Sequence, residues 1–266
     1  MRNKITLTFM ALTVTAFFVS NTFADDEYDK NLIYKMKAKN AHLIRHVTGD
    51  VVESIRGVPA IPVDSFLWSG ENIKDINGHA ELKIDPVNNT GKVSASWHDE
   101  YGHWTYKQNM FVAPPHPSGV KLGSSINDVQ KIMDDPVTTN AYLHGDTGAG
   151  GPVIPTVFNM LATWGPAKVT LNDEVFPNTF DDMNMWPGHT MISEGVRDDE
   201  GVVRTTSGEI FNMMKRAEGV TYSDKLTFHL VFHSMPGAMT ANIPPPVGFF
   251  YHVSFSDVKV KVKYKN

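Results

Sequence analysis

Histidines set inside apolar runs are the residues of this chain most able to do chemistry. "FHLVFHSM" carries His229 and His233, "AYLHGD" carries His144, "GHTM" carries His189 beside Met191, and "FFYHVSF" carries His252. An imidazole buried in such a run must hydrogen-bond or ligate, because an unmatched polar group there costs roughly 1–3 kcal/mol. His229 and His233 have the i, i+4 spacing of a helical metal pair. Thr227, Phe228, Leu230, Val231 and Phe232 are strand formers, however. Four strand residues span about 13–14 Å, and no single ion with bonds near ~2 Å bridges that gap. The two rings are therefore expected in different sites. The residue after His229 is not Glu, which removes the H-E-x-x-H metalloprotease pattern.

His189 and Met191 would project from one strand face about 7 Å apart. A histidine with a thioether favours copper over zinc, because sulfur is a soft ligand. "MNM" at 183–185 leans the same way, and Asp146 in "HGDTGAGGP" offers a carboxylate. The expectation is a transition-metal site, copper favoured, drawn from His144, Asp146, His189, Met191, His229, His233 and His252. Such a protein would be a carrier or a metalloenzyme. The expectation requires at least three ring nitrogens within about 3–4 Å of one another. The bland account is that the methionines are core and each strand histidine is satisfied by a carbonyl.

"WHDEYGHW" (97–104) is nearly a palindrome. A hairpin turning through Asp99 to Gly102 places His98 opposite His103, and Trp97 opposite Trp104 on the other face. Cross-strand Cβ atoms are about 4.5–5.5 Å apart, so His98 and His103 could clip a metal. Exposed hairpin tips also carry histidine for no such purpose.

Other chemistries find less. Asp146-Thr147-Gly148 matches the short core of an aspartic protease, but that reaction needs two carboxylates and no second copy exists. The glycine-rich stretch lacks the lysine of a P-loop and the spacing of a dinucleotide fingerprint. No G-x-S-x-G elbow supports a serine hydrolase. With no cysteine, thiolate sites and thiol catalysis are excluded. The rival functional reading is a metal-free binding module with Trp and Tyr surfaces for sugar or another small ligand.

The start of the chain reads as an address. Arg2 and Lys4 precede the uncharged run 5–19, and small residues Thr22 and Ala24 end it. This is the pattern of a signal peptide cut after Ala24. Residues 25–266 would then be a periplasmic or secreted chain, with no membrane attachment after cleavage. The formal charge of −5 argues against nucleic acid as a partner.

The elements that must position these side chains read mostly as strands. "HAELKID", "KVSASW" and "HWTYKQNMFV" are period-two runs between turn residues. "AKVTLNDEVF" reads as a hairpin with Asn172–Asp173 at its tip, and 195–204 as another. Helices are expected at 32–47, 124–135 and 155–165. Val253 and Phe255 have the opposite parity to Val258, Val260 and Val262, which calls for a β-bulge near Ser256–Asp257. The expected class is mainly β, an antiparallel β-sandwich with few short helices. Residues 25–266 form one sandwich-like domain, with subdivision into two β subdomains near 113–123 as the alternative.

Overall fold

The computed structural model describes residues 32–45, 52–55, 58–60, 73–113, 134–145, 147, 149, 154–178, 184–212, 218–233 and 249–265. Its strands, in chain order, are β1 (Leu32–Arg45), β2 (Val52–Ile55), β3 (Val58–Ala60), β4 (Lys74–Asp85), β5 (Thr90–Asp99), β6 (Gly102–Gln108), β7 (Val137–Leu143), β8 (Val157–Leu171), β9 (Glu174–Val175), β10 (Trp186–Gly195), β11 (Tyr222–His233) and β12 (Phe250–Tyr264). The signal sequence expected at 1–24 and the helix expected at 124–135 lie essentially outside the described residues.

All pairings are antiparallel, and the strands run β10-β11-β12-β1-β4-β5-β6-β8 around the molecule. β10 then pairs with β8 from Trp186↔Ala167 onward, which closes the ring. The molecule is thus a closed eight-stranded barrel and not the expected sandwich. Closure depends on β8, which is long enough to pair with β6 at one end and with β7 and β10 at the other. β2 and β3 form a separate two-stranded pair. Strands from both sides of 113–123 enter the one barrel.

Two expected helices are strands. In 32–39, Tyr34, Met36 and Ala38 are buried and alternate with exposed Lys35, Lys37 and Lys39. That period of two outweighs the good helix formers Lys, Met and Ala. In 155–165, β-branched and aromatic residues continue straight into β8, and Pro155 stands before the strand instead of starting a helix.

The expected change of face in β12 is present, but β12 does not carry it alone. Val253 and Phe255 point into the barrel, as do Val258 and Val260 beyond. β1 changes face at the same level, from Ala38 to Ala41, so β1 and β12 stay in step with Ala41↔Phe255 and Ala38↔Val258. Asn40 takes the kink with a φ of 54°. The register slips instead between β1 and β4, from Lys39↔His79 to Ala41↔Ile76.

Eight strands leave an interior that side chains just fill. Here aromatic rings fill it: Trp97, Trp104, Trp186, Phe176, Phe232 and Tyr251 are all fully buried and pack with centroids 4.9–6.4 Å apart. One carboxylate orders part of this core. Asp99 accepts the Trp104 indole N–H at 2.8 Å and the Tyr251 hydroxyl. Four of the five tryptophans (97, 104, 164 and 186) are buried, so they offer no exposed platform for a ligand.

The hairpin at 97–104 forms as expected, with Trp97↔Trp104, His98↔His103 and Asp99↔Gly102 in register. Its tip is tighter than the four-residue loop expected, because Asp99 and Gly102 still pair. The hairpin tipped by Asn172–Asp173 also forms, both residues having positive φ. The Asn172 side chain locks the two tips together by accepting the His103 N–H at 2.9 Å and donating to the Tyr101 carbonyl at 3.2 Å.

Candidate functional site

The outward faces of β8, β10, β11 and β12 are not solvated over their whole length. Ala162, Trp164, Met191, Val231 and Phe250 project from them into a second apolar layer, distinct from the barrel interior. Leu143 at the end of β7, Val157 at the start of β8, and Ala149, Ile154, Val196, Val203 and Phe211 outside these strands complete that layer. Strand alternation places His189, His229, His233 and His252 on the same outward faces. His229, His233 and His252 are buried there, as is His144 at the end of β7. The sequence was therefore right that these histidines sit in apolar surroundings, and this second layer is the reason.

Within the layer the rings meet in pairs. His229 Nδ1 lies 3.0 Å from His252 Nε2, with the rings stacked. His144 and His189 have centroids 6.1 Å apart. His189 stacks on Trp164 at 4.9 Å and makes a 3.1 Å Nδ1 contact with the Thr163 carbonyl, which assigns the proton to that nitrogen. Met191 is buried directly across from His229 in the β10–β11 ladder. His233, four residues along the same face from His229, stacks on Phe250 instead. Asp146 lies outside the described residues. Among the described residues, no group of three or more His, Asp or Glu side chains is placed to hold a metal ion.

His98 and His103 are elsewhere on the wall, on β5 and β6. Their rings stack at 4.6 Å, and His103 Nε2 shares a hydrogen bond of 2.7 Å with the Ser96 hydroxyl.

The residue that sequence reasoning missed is Arg197. It follows β10, in the 195–204 turn, which closes by an Arg197↔Val203 bridge. Its Nη1 donates to the Gly201 carbonyl at 2.9 Å. Its Nε and Nη2 are buried and meet no hydrogen-bond acceptor among the described residues. Burial lowers its pKa to about 10, against the opposing pull of Asp198. Asp198 is already engaged by the N–H groups of Glu200 and Val202 and by the Arg204 guanidinium. In sequence, "VRDDE" reads as a solvated arginine among carboxylates, which hid the unmatched guanidinium.

Arg197 and the histidines form one electrostatic unit. Burial holds His229 well below the ordinary histidine range, and the Arg197 charge adds to the shift, followed by His144 and His189. Burial does the same to His252, reinforced by His229 and then Arg197. Both rings are neutral near pH 7. A surface groove of about 600 Å³ is lined by Arg197 and Ser254, and also by the carboxylates Asp198, Asp199, Asp224 and Asp257. Ser254 is the cross-strand partner of His229. The unit thus presents a fixed positive charge, spare N–H donors and neutral imidazoles.

The chain matches no family model, no curated protein and no solved structure. Its function has to be argued from the site.

Proposed function

We propose that this protein is a binding protein that takes the anionic group of a small ligand at Arg197. The observation that carries this reading is the buried guanidinium with Nε and Nη2 unmatched. A buried donor left without an acceptor costs about 1–3 kcal/mol, and more when charged. A carboxylate, phosphate or sulfate oxygen bound at Arg197 would supply the missing acceptors, in the planar geometry that guanidinium suits. The signal pattern at 1–24 supports a place outside the cytoplasm for this binding.

Copper binding is the second reading, favoured by the Met191–His229 pairing beside the 3.0 Å His229–His252 contact. It has less support, because the Arg197 charge that depresses His229 and His252 would also repel a metal cation.

Titration calorimetry with phosphate, sulfate and acetate tests the first reading, and anaerobic titration with Cu(I) tests the second. Anion binding that is lost in Arg197→Met and retained in His229→Gln supports the anion site. Cu(I) binding that survives Arg197→Met and is lost in His229→Gln would replace it with the copper site. Binding of neither ligand class overturns both.

A further inference from the structure

The opposite wall of the barrel carries a lysine ladder. Register places Lys261, Lys35, Lys83 and Lys92 side by side on β12, β1, β4 and β5, forming one continuous row. All four are exposed, and among the described residues no carboxylate forms an ion pair with any of them. The row runs about 14 Å at the ordinary strand spacing. The next row holds Lys259, Lys37 and Glu81, and Glu81 is taken by Lys37 at 3.0 Å. A shallow groove of about 490 Å³ lies among these side chains.

Like charges directly opposite one another weaken a sheet. A chain of net charge −5 has carboxylates to disperse among its lysines, yet four lysines stand adjacent here. We infer that this wall is a docking surface for an acidic polysaccharide. Charge complementarity demands a polyanion, and the shape of the row selects among polyanions. The row crosses three of the eight inter-strand spacings of the barrel and so curves with its wall. A flat bilayer touches a cylinder along a line and cannot follow the row around it. Duplex nucleic acid, stiff over about 150 bp, meets the curved row along a line as the bilayer does. Single-stranded nucleic acid calls for aromatic rings to stack on, and neither row contains one.

A flexible anionic polymer can follow the wall. Along the second row, Glu81 is followed by Ser94 and Lys107. The Ser94 hydroxyl beside these cations suits a chain that alternates sugar hydroxyls with carboxylates or sulfates. An acidic polypeptide has no need of that hydroxyl.

The test uses the full chain with heparin and polygalacturonate as probes, followed by calorimetry across a salt series. Polyglutamate and phosphatidylglycerol–phosphatidylcholine vesicles are run alongside. Both polysaccharides should bind, and more weakly as salt shortens the screening length. Lys35→Gln with Lys83→Gln should weaken binding roughly tenfold at low salt. Lys74→Gln, about 30 Å along β4 from Lys83, should bind as the wild type does. Lys35→Arg with Lys83→Arg should retain binding, and circular dichroism should show every variant folded. The inference fails if neither polysaccharide binds at low salt. It fails equally if Lys74→Gln weakens binding as much as the double variant, or if polyglutamate or the vesicles bind more tightly than the polysaccharides.

Discussion

His229 Nδ1 and His252 Nε2 face each other at 3.0 Å inside the outer layer, two fully buried rings within reach of one proton. Burial first, and then the positive charge of Arg197 and the neighbouring rings, keeps both neutral in the folded state. In the unfolded chain each would protonate near pH 6.5. Above that pH the two states bind equal numbers of protons at these sites, and no penalty arises. As pH falls below about 6.5, the unfolded chain gains protons that the folded chain refuses, and stability drops. The slope is up to about 1.4 kcal/mol per pH unit for each ring, until the depressed folded-state pKa is reached. Chemical denaturation from pH 7.5 to 5 should show this decline. His229→Gln with His252→Gln should flatten it, and an unchanged slope in that variant would place the pH sensitivity elsewhere.

Arg197 should matter more to binding than to folding. Replacing a buried, poorly matched charge with an apolar side chain of similar length is often neutral or stabilising by about 1–4 kcal/mol. Arg197→Met is therefore expected to keep or raise the melting temperature despite losing the Gly201 carbonyl contact. A fall of several degrees would mean that the guanidinium has acceptors in solution and is structural.

The two faces of the 97–104 hairpin should respond very differently to truncation. Trp97 is fully buried, stacked on Trp104 with ring planes 8° apart and centroids 6.1 Å apart. Trp97→Ala should cost about 3–5 kcal/mol in urea denaturation. His98→Ala with His103→Ala, on the outer face, should stay within about 0.5 kcal/mol. A large loss in the double variant would point to a role for the histidine pair that its stacking does not explain.

Gly188 and Tyr106 are a coupled pair. A Cβ on Gly188 would stand 2.2 Å from the Tyr106 hydroxyl, which is held by Gln108 at 3.0 Å in the filled barrel. Gly188→Ala should cost about 1–3 kcal/mol. Tyr106→Phe removes the obstructing oxygen, so the double variant should be more stable than the sum of the single effects predicts. Strict additivity would mean that the clash is relieved by backbone movement.

The strand content and the hairpins were legible because they are local. Trp97 and Trp104 pair because a short turn brings them together, and Asn172–Asp173 turn because those residues accept positive φ. β1 was misread as a helix although its Tyr34–Lys39 stretch alternates strictly. The helix formers Lys, Met and Ala carried the reading, and burial of the alternate residues is what overrules them. At the candidate site, the residue types and their apolar setting were legible for His229 and His252, but their pairing was not. The two lie on different strands, brought together by the β11–β12 register.

What the sequence determined by itself was a mainly antiparallel β protein, without thiol chemistry, whose histidines sit among apolar residues. These properties follow from period-two alternation, turn chemistry and composition, all of which act over a few residues. Only the tertiary structure decided that the sheet closes into a barrel, through the distant β8–β10 pairing. Closure fills the interior with aromatic rings, so the histidines project into an outer layer, where Arg197 is buried beside them with too few acceptors among the described residues. The same closure sets Lys261, Lys35, Lys83 and Lys92 in one row, although they are scattered along the chain. Register between strands far apart in sequence is a property of the closed sheet as a whole, set by which faces bury together, and no local pattern encodes it.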